Sequence, residues 1–441
     1  MKRDAEGELQ FAFKFRQSIP DSSSDLMTNS MGSGSGRSLI LPPLLASLVA
    51  ASFLFSPGTT DVGLWQTWMR EISTYGLIGG FGHSGTDYPP LAFVLLAAVI
   101  RSAGMLGTSE WLILKWSLLL FLLATSVCFY WFTRNLILTA ALELSLTLNS
   151  VALGYLDIYF APFLIAGLFY LQRQKLNRGV LLFAISCFIK WQPLIIAPFV
   201  ALHVLRIGRD KHAGFKQFLG RTLPFLIAAI AVVAPLIVMF GGAIIHSLYL
   251  AMNHDWLSAF ALNVGWLHTW LLHLLRPDKY GALVNGMIDS LKTKGYAQWP
   301  EKILFYTSYA SILVLFARRS PTFERLVVYS ILGYLSYFIF NIGVHENHLF
   351  LVCCLAWILA FLERGQLVRC INLTIMANAN LFLVYGAFGE RLNPVIAGID
   401  LTLLFAIANI CLFAGFVIHT VRTDGFDLWF VNIQSRTAVE R

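Results

Sequence analysis

From residue 38 to residue 420 the chain alternates apolar runs of roughly 17 to 25 residues with short polar or basic connections. Runs of that length cross the hydrocarbon core of a bilayer as α-helices, and the period-two alternation of a transmembrane strand is missing. The pattern predicts an all-α, polytopic membrane protein of about 11 to 13 transmembrane helices over residues 38–422. Residues 1–37 break it. The stretch "SSSDLMTNSMGSGSGRS" is too poor in apolar side chains to bury a core, so a disordered cytoplasmic tail is expected there, with a second tail over 423–441. The run "LILPPLLASLVAASFLF" begins too late for an ordinary secretory signal and reads as the first retained span.

Composition agrees: 57% of the 441 residues are hydrophobic and 13% charged, outside the range of soluble domains. The net charge of +8 does not call for nucleic acid, because Lys and Arg accumulate in the cytoplasmic loops of membrane proteins. The six cysteines lie in or beside apolar runs without CxxC spacing and read as packing residues.

Basic loops orient the chain. Residues 205–221 carry five basic residues and one acid, and 173–178, 318–325, 363–369 and Arg422 share the basic bias, so these face the cytoplasm together with the N-terminal tail. The external parts are then 57–88, the long loop 243–301, and the turns 344–348 and 387–394. Residues 179–204 start and finish at cytoplasmic loops yet suffice for barely one span. A hairpin of two short helices broken at "KWQP" resolves this and puts Lys190 and Pro193 deep in the membrane or near its outer half. Between 89 and 156 lie three apolar runs joining two external points, which requires one of them to be a partial span; the pattern does not say which. Residues 276–302 hold five basic and three acidic residues, against the positive-inside trend. They are kept outside because inverting them would carry the His-Glu turn away from Asp61.

An ionisable side chain at membrane depth costs roughly 2.5–3.5 kcal/mol, so those that persist are candidate functional groups. In this topology Asp61, Asp87, Asp157, Lys190, His345, Glu346 and His348 all fall toward the external face. In "TTDVGLWQTWMREI", Leu64, Trp65, Trp68, Met69 and Ile72 recur at helical spacing, predicting an amphipathic juxtamembrane helix that starts at Asp61. Asp61 or Thr60 as a plain helix cap is the competing reading. In "GHSGTDYPPLAFVLL" the proline pair starts the next helix and fixes the direction of Asp87. "GLIGGFGHSG" has no preceding strand or following Lys and is not a phosphate loop. Lys190 is placed either to neutralise a lipid phosphate or to snorkel to the interface. His345 and His348 share a face if helical, with Glu346 able to orient either ring. Their spacing is not that of HExxH, and no metal is expected. Trp256, Trp266 and Trp270 read as belt anchors or as a sugar-stacking platform.

The order of these segments resembles the GT-C glycosyltransferases, above all the ER glucosyltransferases that extend lipid-linked oligosaccharides and their bacterial polyprenyl-phosphate-dependent relatives. The likeness is carried by Asp61 with Trp68-Met69 after it, Asp-Tyr-Pro-Pro-Leu at 87–91, "GYLD" at 154–157, "IKWQPLIIAP" at 189–198, "LSAFALNVGWL" at 257–267 and "VHENHLFL" at 344–351. Asn347 stands where a basic residue is usual, and Tyr155 where Gln is usual. The resemblance implies inverting transfer of a hexose, mannose or glucose, from a polyprenyl-phosphate donor to a lipid-linked or glycan acceptor at the external or lumenal face. It implies Asp61 as general base and Asp87 as a second carboxylate or alternative base. Lys190, His345, Glu346, His348, Asp157 and Tyr88 would bind donor phosphate and substrate, without a cofactor. A bacterial inner membrane is favoured over the ER. The rivals are a polysaccharide ligase or polymerase and a flippase, which would show inverted repeats.

Overall fold

The computed structural model describes residues 37–207, 215–283 and 285–423; the expected tails, apart from their innermost residues, and the centre of the basic loop at 205–221 lie outside them. The chain is about 78% helical, with one two-stranded hairpin, so the all-α expectation holds. Contacts divide it after Pro42, and the unit from Pro43 onward contains every residue of the candidate site.

The helices are α1 (Arg37–Ser52), α2 (Asp61–His83), α3 (Pro90–Leu106), α4 (Glu110–Thr133), α5 (Leu136–Thr147), α6 (Ala161–Gln172), α7 (Leu176–Ile189) and α8 (Ala197–Arg206). They continue with α9 (Phe215–Ala228), α10 (Ala234–Phe240), α11 (Gly242–Met252), α12 (Val264–Leu275), the single turn α13 (Pro277–Tyr280), α14 (Trp299–Arg318), α15 (Phe323–Phe340), α16 (Phe350–Leu362) and α17 (Leu367–Tyr385). A hairpin of β1 (Val395–Ile396) and β2 (Ile399–Asp400) leads into α18 (Leu401–Thr423). Among the described residues, 5 helical stretches are long and apolar enough to cross a membrane: Glu110–Thr133, Leu219–Phe240, Phe323–Phe340, Arg364–Tyr385 and Leu401–Thr423. Eight further apolar helical stretches are shorter, from Ile40–Ser52 to Glu346–Leu362.

Helix α2 covers the segment expected to form an amphipathic helix. Val62, Trp65, Trp68, Met69 and Ile72 are buried, whereas Leu64 is 43% exposed, so the apolar stripe runs through Val62 rather than Leu64. The helix kinks at Gly76, whose φ of 73° suits a residue without Cβ. No side chain caps its start, which removes Thr60 as a capping residue. The segment before α2 is pinned to the turn after α5. Ser56 Oγ donates to the Ala152 carbonyl at 2.8 Å, Thr59 N–H to Leu153 at 2.9 Å and Trp65 Nε1 to Gly154 at 2.9 Å. Gly58 and Gly154, both at positive φ, let the two turns close around Val62.

Helix α3 begins beside Lys190 and Asp157: Tyr88, at its start, touches Lys190, which also touches Asp157. The next helix, α4, begins at this same end. Lys115 donates to the Val151 carbonyl, Ser117 bonds Tyr159 at 2.5 Å, and at the far end Phe132 stacks on Phe169 at 4.7 Å. Thus α4 runs parallel to α6 and begins at the same end as α3. Arg206 marks the opposite end, donating to the carbonyls of Phe316 at 3.1 Å and Arg319 at 2.5 Å.

The hairpin at "KWQP" is present. Helix α7 stops at Ile189, Lys190 is extended (φ −147°, ψ 140°), a 3-10 turn covers Gln192–Ile196, and α8 resumes. Proline at 193 lacks the N–H that a continuous helix would use there. The segment 243–301, expected as a loop, begins within α11 and contains α12. Residues 257–263 thread back to the His-Glu turn, where Ala259 N–H donates to the Val344 carbonyl at 2.9 Å. Trp266 is a core residue, 2% exposed, with Nε1 donating to Thr402 Oγ1 at 2.8 Å, and Trp270 packs on the same apolar cluster. Neither borders the cavities at the candidate site. All six cysteines are free thiols, Cys411 exposed and the others buried or half-buried.

Candidate functional site

Breaks in the helices bring the predicted ionisable residues to one end. Asp157 sits in a 3-10 turn at the head of α6, fully buried, with Oδ1 3.1 Å from Lys190 Nζ and Oδ2 accepting from Asn347 Nδ2 at 2.9 Å. Asn149, in the π-helical turn closing α5, donates to the Asn347 carbonyl at 3.2 Å. Lys190 also donates to the Tyr88 hydroxyl. A charge pair this deep persists only with further hydrogen bonds to both partners, and it has them. Ser247 on α11 donates to the Tyr88 carbonyl at 2.6 Å and accepts from Trp191 Nε1 at 3.2 Å, tying the broken hairpin to the Asp-Tyr-Pro-Pro turn.

Glu346 is 3% exposed and accepts from the Tyr155 hydroxyl. It therefore orients Tyr155 and neither histidine, contrary to expectation. His345 is extended (φ −92°, ψ 158°) rather than helical, yet its ring centre still lies 5.3 Å from that of His348. His348 Nδ1 pairs with the Tyr337 hydroxyl at 2.9 Å. On its other side His345 faces His254 at 5.6 Å, and His254 Nε2 lies 3.6 Å from Asp87 Oδ2. Burial, with His254 adding to it, pushes the His345 imidazole down to about 4, so the ring is neutral near pH 7.

Asp61 is half-buried at the start of α2. Burial raises its carboxyl to about 6; the Lys190 charge opposes that rise, while Asp87 and Asp157 add to it.

Two cavities meet here. One, of about 380 Å³, has a polar floor that includes Asp87, Tyr88, Lys190, Gln192, His254 and His348, and apolar walls from α11, α14 and the broken hairpin. The other, of about 410 Å³, is more open and polar, with Trp68, Asp255, Trp256, Lys292 and His345 in its lining. Asp87 and His254 border both. Asp61, Asp157 and Glu346 border neither. Trp256, of the three tryptophans singled out from sequence, is the one at the site, with Lys292 Nζ 4.6 Å from its ring centre. Gln192 is 4% exposed, and neither amide atom has a hydrogen-bond partner.

Sequence reasoning missed His254, Gln192 and Tyr337, and treated Asn347 and Tyr155 only as departures from a pattern. "NHDW" at 253–256, directly after an apolar run, and the Gln inside "KWQP" were the available signals. Among the described residues no group of three or more His, Cys, Asp or Glu side chains is placed to hold a metal ion. No protein-family model matches the chain, and no curated protein matches it either. Fold and site together define a helical protein suited to a lipid bilayer, with a cavity polar at one end and apolar along its walls.

Proposed function

We propose that this chain is an integral-membrane glycosyltransferase of GT-C type. It moves a hexose, mannose or glucose, from a polyprenyl-phosphate carrier to a lipid-linked or glycan acceptor, with inversion, at the external or lumenal face. In this reading the short apolar helices join the long ones to give about 11 to 13 membrane segments, in a bacterial inner membrane. The observation that carries it is the 380 Å³ cavity, whose floor holds carboxylate, lysine and imidazole groups and whose walls are apolar, matching a ligand with a sugar-phosphate head and a hydrocarbon chain.

The acceptor hydroxyl attacks the anomeric carbon. A C–O bond forms to the acceptor, and the bond from the anomeric carbon to the phosphate oxygen breaks with its electron pair staying on the phosphate. The acceptor proton passes to a carboxylate, Asp61 in the primary assignment and Asp87 in the alternative. Asp61 borders neither cavity and is supported by the resemblance and by its carboxyl, raised to about 6 by burial, which suits a base working near neutral pH. Asp87 is supported by its place on the wall between the two cavities. Lys190, Tyr88 and His348 line the leaving-group side, Asp157 holds Lys190 from behind, Glu346 is fixed to Tyr155, and His345 lines the second cavity. The reading needs neither metal nor nucleic acid.

Incubating the purified protein with a panel of polyprenyl-phosphate monosaccharides tests this. Release of polyprenyl phosphate, or sugar transfer to added acceptor, is expected for one of them. No turnover across mannosyl, glucosyl and related donors would remove the enzyme assignment.

A further inference from the structure

The leaving-group side poses a problem of charge. Lys190 is the obvious cation for a phosphate, but its ammonium lies 3.1 Å from Asp157 and also donates to Tyr88, so its charge is already matched within the protein. His254 is set against Asp87, and His345 is held neutral by burial. The remaining lysine on the cavity wall is Lys302, in the first turn of α14. It is half-buried and, among the described residues, has no acidic partner; its neighbour Glu301 turns away to His268 Nδ1 at 2.6 Å.

Its depth suits a lipid headgroup. Tyr296 and Trp299, exposed at the outer start of α14, are the residue types that collect at the membrane–water interface, and Lys302 lies one turn below Trp299. Directly beneath it Phe305 and Tyr306 line the same cavity, and Leu248, Ala251 and Met252 of α11 face them across it. Ile303, Leu304 and Tyr306 on α14 and Ile245, Tyr249 and Met252 on α11 are exposed. A hydrocarbon chain therefore has an apolar exit leading down from the lysine.

We propose that Lys302 is the residue that holds the phosphate of a lipid-phosphate ligand in this cavity, whose chain leaves between α11 and α14, while Lys190 serves as an internal strut to Asp157. The proposal rests on the glycosyltransferase reading for the identity of the lipid as a polyprenyl phosphate. The phosphate sits at the lip and the sugar reaches inward toward Asp87 and Gln192.

The test is equilibrium binding of geranyl phosphate to the full-length purified protein, with geraniol, phosphatidylglycerol and inorganic phosphate as comparison ligands. Wild type is expected to prefer geranyl phosphate to geraniol. Lys302→Gln should weaken geranyl phosphate binding by about tenfold or more and leave geraniol unchanged, the loss expected for one charge-assisted contact. Lys302→Arg should stay within about threefold of wild type, because guanidinium also pairs with phosphate. Thermal melting of both variants should match wild type. An unchanged phosphate preference in Lys302→Gln overturns the proposal. Equal competition by phosphatidylglycerol overturns it in favour of a bulk-lipid contact, and equal competition by inorganic phosphate in favour of a free-anion site. A Lys302-dependent preference without turnover of any sugar donor sinks the transferase reading and keeps this site; turnover with Lys302-independent binding does the reverse.

Discussion

Lys190 and Asp157 meet at 3.1 Å, each standing at a break in its own helix, and this pair joins the segments of the site. Removing one partner strands a buried charge, which costs about 3–5 kcal/mol. Lys190→Ala is therefore expected to lower the melting temperature as well as donor use. The double variant with Asp157→Asn should recover most of the stability, and little of the activity. Equal melting of wild type and Lys190→Ala would show that the pair is not a structural strut.

For Asp61→Asn, loss of transfer with retention of fold is expected, because the side chain makes no cap bond for α2. The sign of the pH effect comes from its raised carboxyl. The base form is lost as pH falls through about 6, so kcat/KM should fall about tenfold per pH unit below that point. A profile flat down to the ordinary carboxylate range, about 4, would move the base role to another group.

Gln192 offers a separation of stability from binding. Its amide is buried without hydrogen-bond partners, an arrangement costing about 1–3 kcal/mol. Gln192→Met should leave stability unchanged or improved, yet raise the apparent donor KM. A variant with lower melting and unaltered KM would assign the amide a structural role instead.

Gly58 and Gly154 set the distance between the turn before α2 and the turn that carries Asp157. A Cβ on Gly58 would lie 2.7 Å from Val62 Cγ2 and 2.8 Å from the Leu153 carbonyl oxygen, at a φ of 78° that other residues resist. Gly58→Ala should lower stability by about 1–3 kcal/mol and reduce activity with it, measurable as earlier unfolding in a thermal scan.

Much of the fold is legible in the sequence because it answers to long-range constraints of one kind. Apolar runs mark the helices, and the need to start and finish at one face marks the break at Lys190. The parts that stay hidden depend on depth and tilt, which a hydrophobic pattern does not encode. Nothing in 90–106 announces that α3 and α4 start at the same end of the bundle. Leu64 and Val62 both fit an apolar stripe, and only packing against the Gly58 and Gly154 turns selects Val62. Tyr155 and Asn347 look like substitutions away from a pattern. In the folded chain they are the partners that keep Glu346 and Asp157 hydrogen-bonded. Trp266 is ambiguous in sequence because aromatic residues near a boundary look alike, whether they face lipid or, like this one, the Thr402 hydroxyl.

Asp87 and His254 form a partition common to both chambers. Any occupant that shifts this partition alters the room left for its counterpart, and by thermodynamic reciprocity each must then change the other's affinity by the same factor. His254 is the imidazole of that partition, so its replacement is expected to weaken any such coupling while leaving each chamber able to fill alone.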